Sequence, residues 1–484
     1  MGIKAVLCHL DLGNSHIAAV VADTLVVGQK IFQNKTILNG TAAGLQAGDI
    51  IMEINGKDMA QGDRTPNELT SYVSDNLRGD PGTTCVLKLE RPTADSTYIP
   101  MELKITRGTI RTNPVPYYGM VDKNIGYIAI STFAIEGCSK DIKKALIELK
   151  QQGATSIVLD LRGNGGGLLS EAVNVVNFFV PKGKEIVVTK GKIKQAGSTY
   201  KTSNEPIDME IPLTVLVDGA TASAAEIVSG SLQDLDRAVI VGNRTYGKGL
   251  VQVPRELPYN SSMKVTTAKY YIPSGRCIQA IDYAKRNADG SVARIPDSLT
   301  TVFHTAAGRE VRDGGGIRPD VEVKAERFPN IMFYLLNDDM IFDYATQYCI
   351  KHPNIGEVKD FSVTDADYDD FKQMLKKRNF TYDRQSEKSL KNLKEIAEFE
   401  GYMEGASEEF AALEKKLTHN LDHELNRFSK QIRKAIAEEI VKRHYFQRGV
   451  ILERMKDDAD LTKAIETLKD KEGYTKILSV PADK

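Results

Sequence analysis

The 484-residue sequence has no tryptophan and few of the residues that most often mark a redox or metal site. Its five cysteines are odd in number and never arranged as Cys-x-x-Cys, so they indicate neither a disulfide framework nor a zinc site. Lysine and arginine (64) nearly balance aspartate and glutamate (65), and the net charge of −1 gives no electrostatic reason to expect a nucleic acid or anionic membrane partner. No apolar run reaches the roughly 20 residues that span a bilayer. The chain is long enough for about three globular domains, and no motif implies a cofactor.

Histidine is missing from the part of the chain that holds the glycine-rich motifs, because none of the seven histidines lies between His16 and His304. A serine nucleophile needs a base, and histidine is the usual one. His304 has no Asp or Glu immediately beside it, so a Ser-His-Asp triad would need a distant residue to orient the imidazole. The sequence therefore favours a different base.

Ser223 is the candidate nucleophile. It lies in a run rich in Gly and Ala, just before the apolar pair Ile227-Val228, as expected for a turn that opens a helix and directs N–H groups at an oxyanion. Lys248 follows the apolar strand 238–241 in a second glycine turn, and burial can lower a lysine pKa from about 10.4 towards neutrality. Together they predict a Ser/Lys dyad, in which Gln252 could orient the amine. Singly, a helix-capping serine and a surface lysine remain possible.

Lys248 also has a competing interpretation. The run from Gly242 to Gly249 follows a strand and matches the phosphate-binding pattern G-x-x-x-x-G-K, but glycine replaces the Ser or Thr that should hold Mg²⁺. The following residues, Leu250 to Pro254, are typical of a strand ended by proline, whereas a phosphate loop opens a helix. A nucleotide site is therefore disfavoured.

A second glycine cluster, 163–167, lies between the predicted strand 157–161 and a stretch with helical spacing, 168–179. Backbone N–H groups at such a strand-to-helix turn could bind an oxyanion, with the N–H of Ala224 as the second donor. A turn that simply needs positive φ values is the alternative.

Five motifs in this order resemble the carboxyl-terminal processing proteases, the S41 family of serine peptidases with a PDZ domain. They are 160–169, Ser223 with Glu226, 247–252, 269–279 and 315–320, and the 25-residue spacing of Ser223 and Lys248 is also similar. The resemblance covers about residues 1–325 and implies an α/β crotonase-like protease core. It implies Ser223 as nucleophile, Lys248 as general base, Gln252 as the residue that orients Lys248, and Ala224 with Gly166 or an adjacent glycine as oxyanion donors.

Glu226 lies three residues after Ser223, on the same side of a helix. It could tune the site as a supporting residue, or it could be a favourable acid in a first helical turn. The second interpretation is slightly favoured.

The first 110 residues predict a separate unit. The run 37–56 resembles the strand-helix core of a PDZ domain, which adds an extended chain end to a sheet edge and holds its carboxylate in backbone N–H groups. Gly2 and Ile3 are the candidate peptide-binding residues. Since the similarity starts abruptly at Met1, without a signal peptide or helical leader, the sequence predicts a trimmed N-terminus. A packing module without peptide affinity is the alternative.

Charged residues become frequent after residue 326, and the apolar spacing predicts helices over 367–377, 386–399, 407–417 and 421–441. These helices could mediate homo-oligomerisation or cover the core. His419 and His423 are four residues apart, but no third ligand accompanies them, so no metal site is predicted.

The predicted organisation is a PDZ domain over 1–110, the S41 protease core over 111–325 and a helical region over 326–484. The predicted function is that of a serine endopeptidase that captures the C-terminal tail of a protein and cleaves it. The alternative is a PDZ scaffold that binds peptides and keeps the protease fold without turnover. The resemblance implies the periplasm or another exported compartment.

Overall fold

The structure, a computed structural model, describes residues 3–11, 16–22, 37–38, 44–59, 66–95, 97–108, 113–192, 197–258, 261–286, 292–324, 326, 328–382, 384–417 and 420–479. Of the two predicted peptide-binding residues, Gly2 lies outside these ranges and Ile3 is the first residue of a strand. No described helix combines the length and apolar character needed to cross a membrane.

The described residues of the first unit form an antiparallel sheet and one helix. Its elements are β1 (Ile3–Asp11), β2 (His16–Ala22), β3 (Ile37–Leu38), β4 (Ile50–Ile54), β5 (Lys57–Asp58), α1 (Pro66–Leu77), β6 (Thr84–Pro92) and β7 (Tyr98–Gly108). The strand order is β2-β1-β4-β6-β7-β3, with β5 paired to β4. Alternation along β6 buries Cys85, Leu87 and Leu89 on one face, where they share an apolar cluster with Val73 and Leu77 of α1. Its identity as a PDZ domain remains a prediction.

The second unit is built on a six-stranded, mostly parallel sheet. Its elements are β8 (Tyr117–Asp122), β9 (Ile125–Ala129), α2 (Cys138–Gln151), β10 (Ser156–Asp160), α3 (Leu169–Val176), β11 (Glu185–Gly191), β12 (Ser198–Lys201), β13 (Leu213–Val217), α4 (Ala224–Asp234), β14 (Val239–Gly242), β15 (Leu250–Leu257), β16 (Ser261–Tyr271), β17 (Ile281–Arg286), β18 (Val292–Arg294), β19 (Val302–His304), β20 (Glu310–Arg312) and β21 (Val321–Glu322).

The order of this main sheet is β21-β14-β13-β10-β9-β8, with β8 antiparallel at one edge. Every residue of β9, β10, β13 and β14 is buried, because helices cover both faces of the sheet; such strands are therefore continuous apolar runs rather than alternating ones. The helices α2, α3 and α4 share the larger apolar cluster of one face. The carboxyl ends of β10, β13 and β14 lead directly into the three motifs singled out in the sequence.

A second sheet, with the strand order β12-β11-β16-β15, adjoins the core. It shows that the prediction of a strand ended by Pro254 is wrong. β15 continues to Leu257 and pairs with β16 throughout, with Pro254 opposite Lys264. Because β15 is the edge strand of this sheet, a residue without an N–H is tolerated there.

The C-terminal residues form helices, as predicted: α5 (Asn330–Asn337), α6 (Met340–Lys351), α7 (Asp365–Lys377), α8 (Gln385–Phe399), α9 (Met403–Leu417), α10 (Leu421–Arg427), α11 (Ser429–Met455), α12 (Ala459–Lys469) and α13 (Lys471–Ile477). The run predicted over 421–441 is broken at Phe428, between α10 and α11. Leu425, Ile432, Ile436 and Ile440 are nevertheless all fully buried in one cluster with α5, α6 and α7, as their spacing predicts.

The last two helices do not join that cluster. Leu461, Ala464 and Leu468 of α12 pack instead on the second face of the main sheet, against residues such as Val158 and Val239. From α13, the hydroxyl of Tyr474 accepts a hydrogen bond from the N–H of Leu213 at 3.0 Å, and it lies 3.1 Å from the carbonyl oxygen of the same residue. The C-terminal residues therefore complete the core that carries the site.

Candidate active site

Ser223 lies between β13 and α4, at the carboxyl edge of the main sheet, in an unusual backbone conformation. Its φ of 57° and ψ of −116° belong to a region that residues other than glycine rarely adopt, at a cost of about 1–3 kcal/mol. The turn before it is held by Asp218, whose carboxylate accepts hydrogen bonds from the N–H groups of Ala220 (3.0 Å) and Thr221 (2.9 Å). Strain of this kind persists only where neighbouring groups hold it, and it is common at functional sites.

Glu226 holds this turn together with the turn that carries Lys248. Its side chain is completely buried, and one carboxylate oxygen accepts hydrogen bonds from the N–H groups of Ser223 (2.9 Å) and Lys248 (3.0 Å). The other oxygen accepts from the N–H of Gly247 (2.7 Å) and the hydroxyl of Thr245 (2.6 Å). A single carboxylate therefore joins the backbone of the predicted nucleophile to that of the predicted base.

The four donors also define the protonation state of Glu226. Burial raises its pKa, and the hydrogen bonds from Thr245, Lys248, Gly247 and Ser223 oppose that rise. The Thr245 hydroxyl also accepts a hydrogen bond from the N–H of Ile317 at 2.7 Å. Three of the four partners are backbone N–H groups, which can only donate, and they favour the ionised form against the effect of burial.

Lys248 is half-buried between two glycines with positive φ. A Cβ atom at Gly247 would lie 2.3 Å from the Cβ of Ala280, and one at Gly249 would lie 2.5 Å from the Cβ of Gln279. The glycines thus allow the close packing that the sequence predicts. Burial lowers the pKa of Lys248; the positive charge of Lys264 lowers it further and Glu226 opposes both effects.

Tyr270 makes a second connection between the two turns, which the sequence analysis missed although the residue lies in a quoted motif. Its buried hydroxyl accepts a hydrogen bond from the N–H of Gly249 (3.3 Å) and donates one to the carbonyl of Ser223 (3.4 Å). Thr245 was missed as well. Both contacts depend on how distant strands pack, and periodicity gives no signal for that.

Two expected contacts are not formed in the described part of the chain. No hydrogen bond joins the Ser223 hydroxyl to the Lys248 amine there. Gln252 lies on β15, directly opposite Thr266 of β16. Its side-chain amide donates a hydrogen bond to Thr266 Oγ1 at 3.5 Å and not to Lys248. The structure thus brings the two turns together through Glu226 and Tyr270, and the dyad itself remains a prediction.

The glycine turn after β10 lies directly against the Ser223 turn. A Cβ atom at Gly166 would lie 2.6 Å from the carbonyl oxygen of Ala222 and 2.7 Å from the nitrogen of Ala224. The N–H of Gly166, however, donates to Oδ1 of the buried Asn164 at 2.8 Å, so Gly166 contributes close packing rather than a free donor.

Three other N–H groups near this contact have no acceptor among the described residues: those of Ala224, Gly165 and Gly167. Ala224 is the first residue of α4, where an N–H has no partner within the helix. Asn164 was missed by the sequence analysis, although an asparagine inside a glycine run is a recognisable signal for a side chain that bonds its own backbone.

The alternative sites are disfavoured by the structure. The run from Gly242 to Gly249 leads into β15 and not into a helix, which removes the phosphate-loop geometry. His304 lies exposed on β19. His419 lies outside the described residues, and within them no group of three or more His, Cys, Asp or Glu side chains could hold a metal ion.

Two protein-family models match separate stretches of the chain. Residues 124–285 match the model of peptidase family S41. Residues 331–468 match a probable PDZ-protease C-terminal helical domain. The first match spans β9 to β17 and therefore includes both turns of the site.

Curated relatives carry corresponding names. A carboxy-terminal-processing protease of Bartonella bacilliformis is 38% identical over 245 residues, which cover 49% of this chain and 53% of the relative. A carboxyl-terminal-processing protease of Picosynechococcus is 38% identical over 235 residues, with 48% and 53% covered. The chain thus spans about half the length of these relatives. A solved photosystem II D1 C-terminal processing protease is 28% identical, covers 68% of this chain and 73% of its own, and superposes with a TM-score of 0.34.

Proposed function

We propose that this chain, whose residues 124–285 match the model of peptidase family S41, is a serine endopeptidase that uses Ser223 as nucleophile and Lys248 as general base to cleave proteins or their C-terminal tails. One observation supports this assignment above the others. The buried carboxylate of Glu226 accepts hydrogen bonds from the backbones of both residues, 2.9 Å from Ser223 N and 3.0 Å from Lys248 N. A merely structural turn has no need to hold a strained serine and a half-buried lysine on the same carboxylate.

In the proposed reaction, the neutral amine of Lys248 takes the Ser223 hydroxyl proton as Oγ attacks the scissile carbonyl carbon. The C=O electron pair moves to oxygen, and the oxyanion is stabilised by the N–H groups of Ala224 and of Gly165 or Gly167. The protonated Lys248 then donates its proton to the nitrogen of the leaving peptide, and the acyl-enzyme remains. Water activated by the Lys248 amine hydrolyses the acyl-enzyme and releases the second product. Gln252 would support the lysine by turning from Thr266 towards it.

The proposed substrate is a protein with an extended, accessible C-terminus. Residues 1–110 would capture that end as an added strand and hold its carboxylate in backbone N–H groups, with Gly2 and Ile3 in that position. The charged C-terminal helices would allow homo-oligomerisation. The family resemblance supports a location in the periplasm or another exported compartment.

The test is cleavage of a globular protein fused to an apolar tail, prepared with a free or an amidated C-terminus. We expect cleavage of the free form and a kcat/KM about 10- to 100-fold lower for the amidated form, because hydrogen bonds to a charged group contribute about 1.5–3 kcal/mol. Absence of cleavage in either form, with binding retained, would instead identify a scaffold. Equal cleavage of both forms would remove the C-terminal capture and leave the peptidase.

The pH dependence provides a separate prediction for Lys248. Since the neutral amine is the reactive form, kcat/KM should increase with pH through a pKa below that of an ordinary lysine. Lys264 lowers the pKa of Lys248 by its charge, so Lys264→Gln should move this rise to higher pH. The measurement is a pH profile of kcat/KM with a small peptide substrate, and Lys201→Gln, which removes an exposed lysine on β12, is the control. Identical profiles for all three proteins would contradict the assignment of Lys248 as base.

A further inference from the structure

Arg162, the residue directly before the glycine turn, is held by carboxylates from the far end of the chain. Its guanidinium donates to both oxygens of Asp458, at 2.8 and 2.7 Å, in a bidentate pair. It also donates to Asp460 of α12 at 3.1 Å. The Arg162 side chain is 22% exposed and that of Asp458 is 8% exposed, so the pair is largely screened from water. Such charge-assisted bidentate contacts fix geometry more strongly than a surface ion pair does.

The same arginine is fixed from the core side. Asp160, at the end of β10, accepts hydrogen bonds from the Arg162 N–H (2.9 Å) and from Nη2 of its guanidinium (2.6 Å). The hydroxyl of Tyr127 donates to Oδ2 of Asp160 at 2.6 Å, the same oxygen that accepts from Nη2 of Arg162. Arg162 therefore has its backbone on the main sheet and its guanidinium between the sheet and α12.

The position of Asp458 is fixed independently of Arg162. Asp458 caps α12, because its Oδ1 accepts the N–H of Leu461 at 3.0 Å. α12 itself is seated on the main sheet through the apolar side chains of Leu461, Ala464 and Leu468. The carboxylate is thus presented by a rigid element rather than by a mobile chain end.

From Arg162 the restraint continues into the proposed oxyanion site. The N–H of Gly163 donates to the two oxygens of Asp218, at 3.0 and 3.1 Å, and Asp218 holds the turn before Ser223. The carbonyl of Asn164 accepts the N–H of Ala222 at 2.9 Å, while its amide donates to Ile130 O at 2.8 Å. Arg162, Gly163 and Asn164 therefore each form hydrogen bonds that fix the start of the glycine turn, either to α12, to the turn before Ser223 or to the core.

We propose that Asp458 is a positioning residue for catalysis: through Arg162, the C-terminal helix α12 sets the position of the glycine turn whose N–H groups receive the oxyanion. The inference rests on the proposed peptidase function. Asp458 contacts no substrate; it acts by fixing Arg162, and a turn displaced by a fraction of an ångström places its donors wrongly for the transition state.

The test compares two substitutions in α12 and its cap. Asp458→Asn keeps the size and the helix-capping ability of the residue but removes the charge that holds Arg162. We expect kcat to fall about 10- to 100-fold with KM unchanged, since misplaced donors affect the transition state and not substrate binding. Leu468→Ala removes buried packing of the same helix but leaves the Asp458–Arg162 pair in place; it should lower the midpoint of thermal unfolding, with a smaller loss of kcat than Asp458→Asn.

Two further variants complete the design. Glu466→Gln breaks an exposed pair with Lys463 on α12 and should change neither kcat nor thermal stability. Arg162→Lys, which cannot make the bidentate contact, should reproduce the loss of kcat even if Asp458→Asn folds poorly. An active wild-type enzyme whose Asp458→Asn and Arg162→Lys forms keep their kcat would overturn the inference. An inactive wild-type chain would instead overturn the proposed function.

Discussion

Replacing Ser223 with alanine should abolish cleavage of a tailed substrate, with a loss in kcat of about 10⁴- to 10⁶-fold, because removal of a serine nucleophile leaves only binding and oxyanion stabilisation. Folding should be preserved, since Glu226 holds the Ser223 backbone through the N–H that serine and alanine both provide. The measurement is steady-state cleavage together with thermal unfolding. Ser229→Ala is the matched control: this buried serine of α4 donates only within its own helix, and its loss should leave kcat unchanged.

A glycine at the same position refines this expectation. Ser223→Gly should be as inactive as Ser223→Ala but more stable by about 1–2 kcal/mol, because glycine adopts φ 57° and ψ −116° without strain. Denaturant unfolding of the two variants measures the difference. Cleavage by either variant at the wild-type rate would refute Ser223 as nucleophile. Equal stability of Ser223→Gly and Ser223→Ala would mean that the turn carries no strain.

Glu226→Gln should cost both activity and stability. An amide has one acceptor oxygen, and its NH₂ group would face N–H donors that now meet a carboxylate oxygen. About two of the four donors would lose their acceptor, at roughly 1–3 kcal/mol each, so we expect a loss of about 2–6 kcal/mol in the free energy of unfolding. We expect kcat to fall at least about 100-fold in the fraction that remains folded, because Ser223 and Lys248 lose their shared restraint.

The control for this variant is Glu171→Gln in α3. Glu171 is also a buried acid in a first helical turn, and it accepts hydrogen bonds from the N–H groups of Gly137 (3.0 Å) and Ser139 (2.8 Å). Its substitution should lower stability while kcat is retained. If Glu226→Gln lost stability to the same degree but kept the wild-type kcat, Glu226 would be a structural residue only.

The strands and turns around the site follow from local patterns. The fully apolar runs predict buried parallel strands. The Gly- and Ala-rich run before the apolar pair Ile227-Val228 predicts the helix after Ser223. The role of Glu226 does not follow in the same way. Its position three residues after Ser223 predicts a first-turn acid, whereas its bonds to Gly247 and Lys248 exist only because β13 and β14 are neighbours in the sheet. Periodicity does not encode that adjacency.

Other differences between prediction and structure have causes of their own. Gly166 was expected to supply an N–H, but the amide of Asn164 competes for it at a spacing of two residues. Proline was expected to end β15, but an edge strand tolerates it. The sequence of α12 is amphipathic whether it packs on other helices or on a sheet, so its place on the main sheet could not be chosen from its pattern.

The seat of α12 on the main sheet has a consequence for biosynthesis. Asp458 lies 296 residues after Arg162, so the chain must be synthesised through α12 before this face of the sheet is covered. Contacts of such long range form late in folding. A nascent chain therefore lacks the contact between Asp458 and Arg162 until α12 has been made, and we expect the proposed site to be completed only after that point in translation.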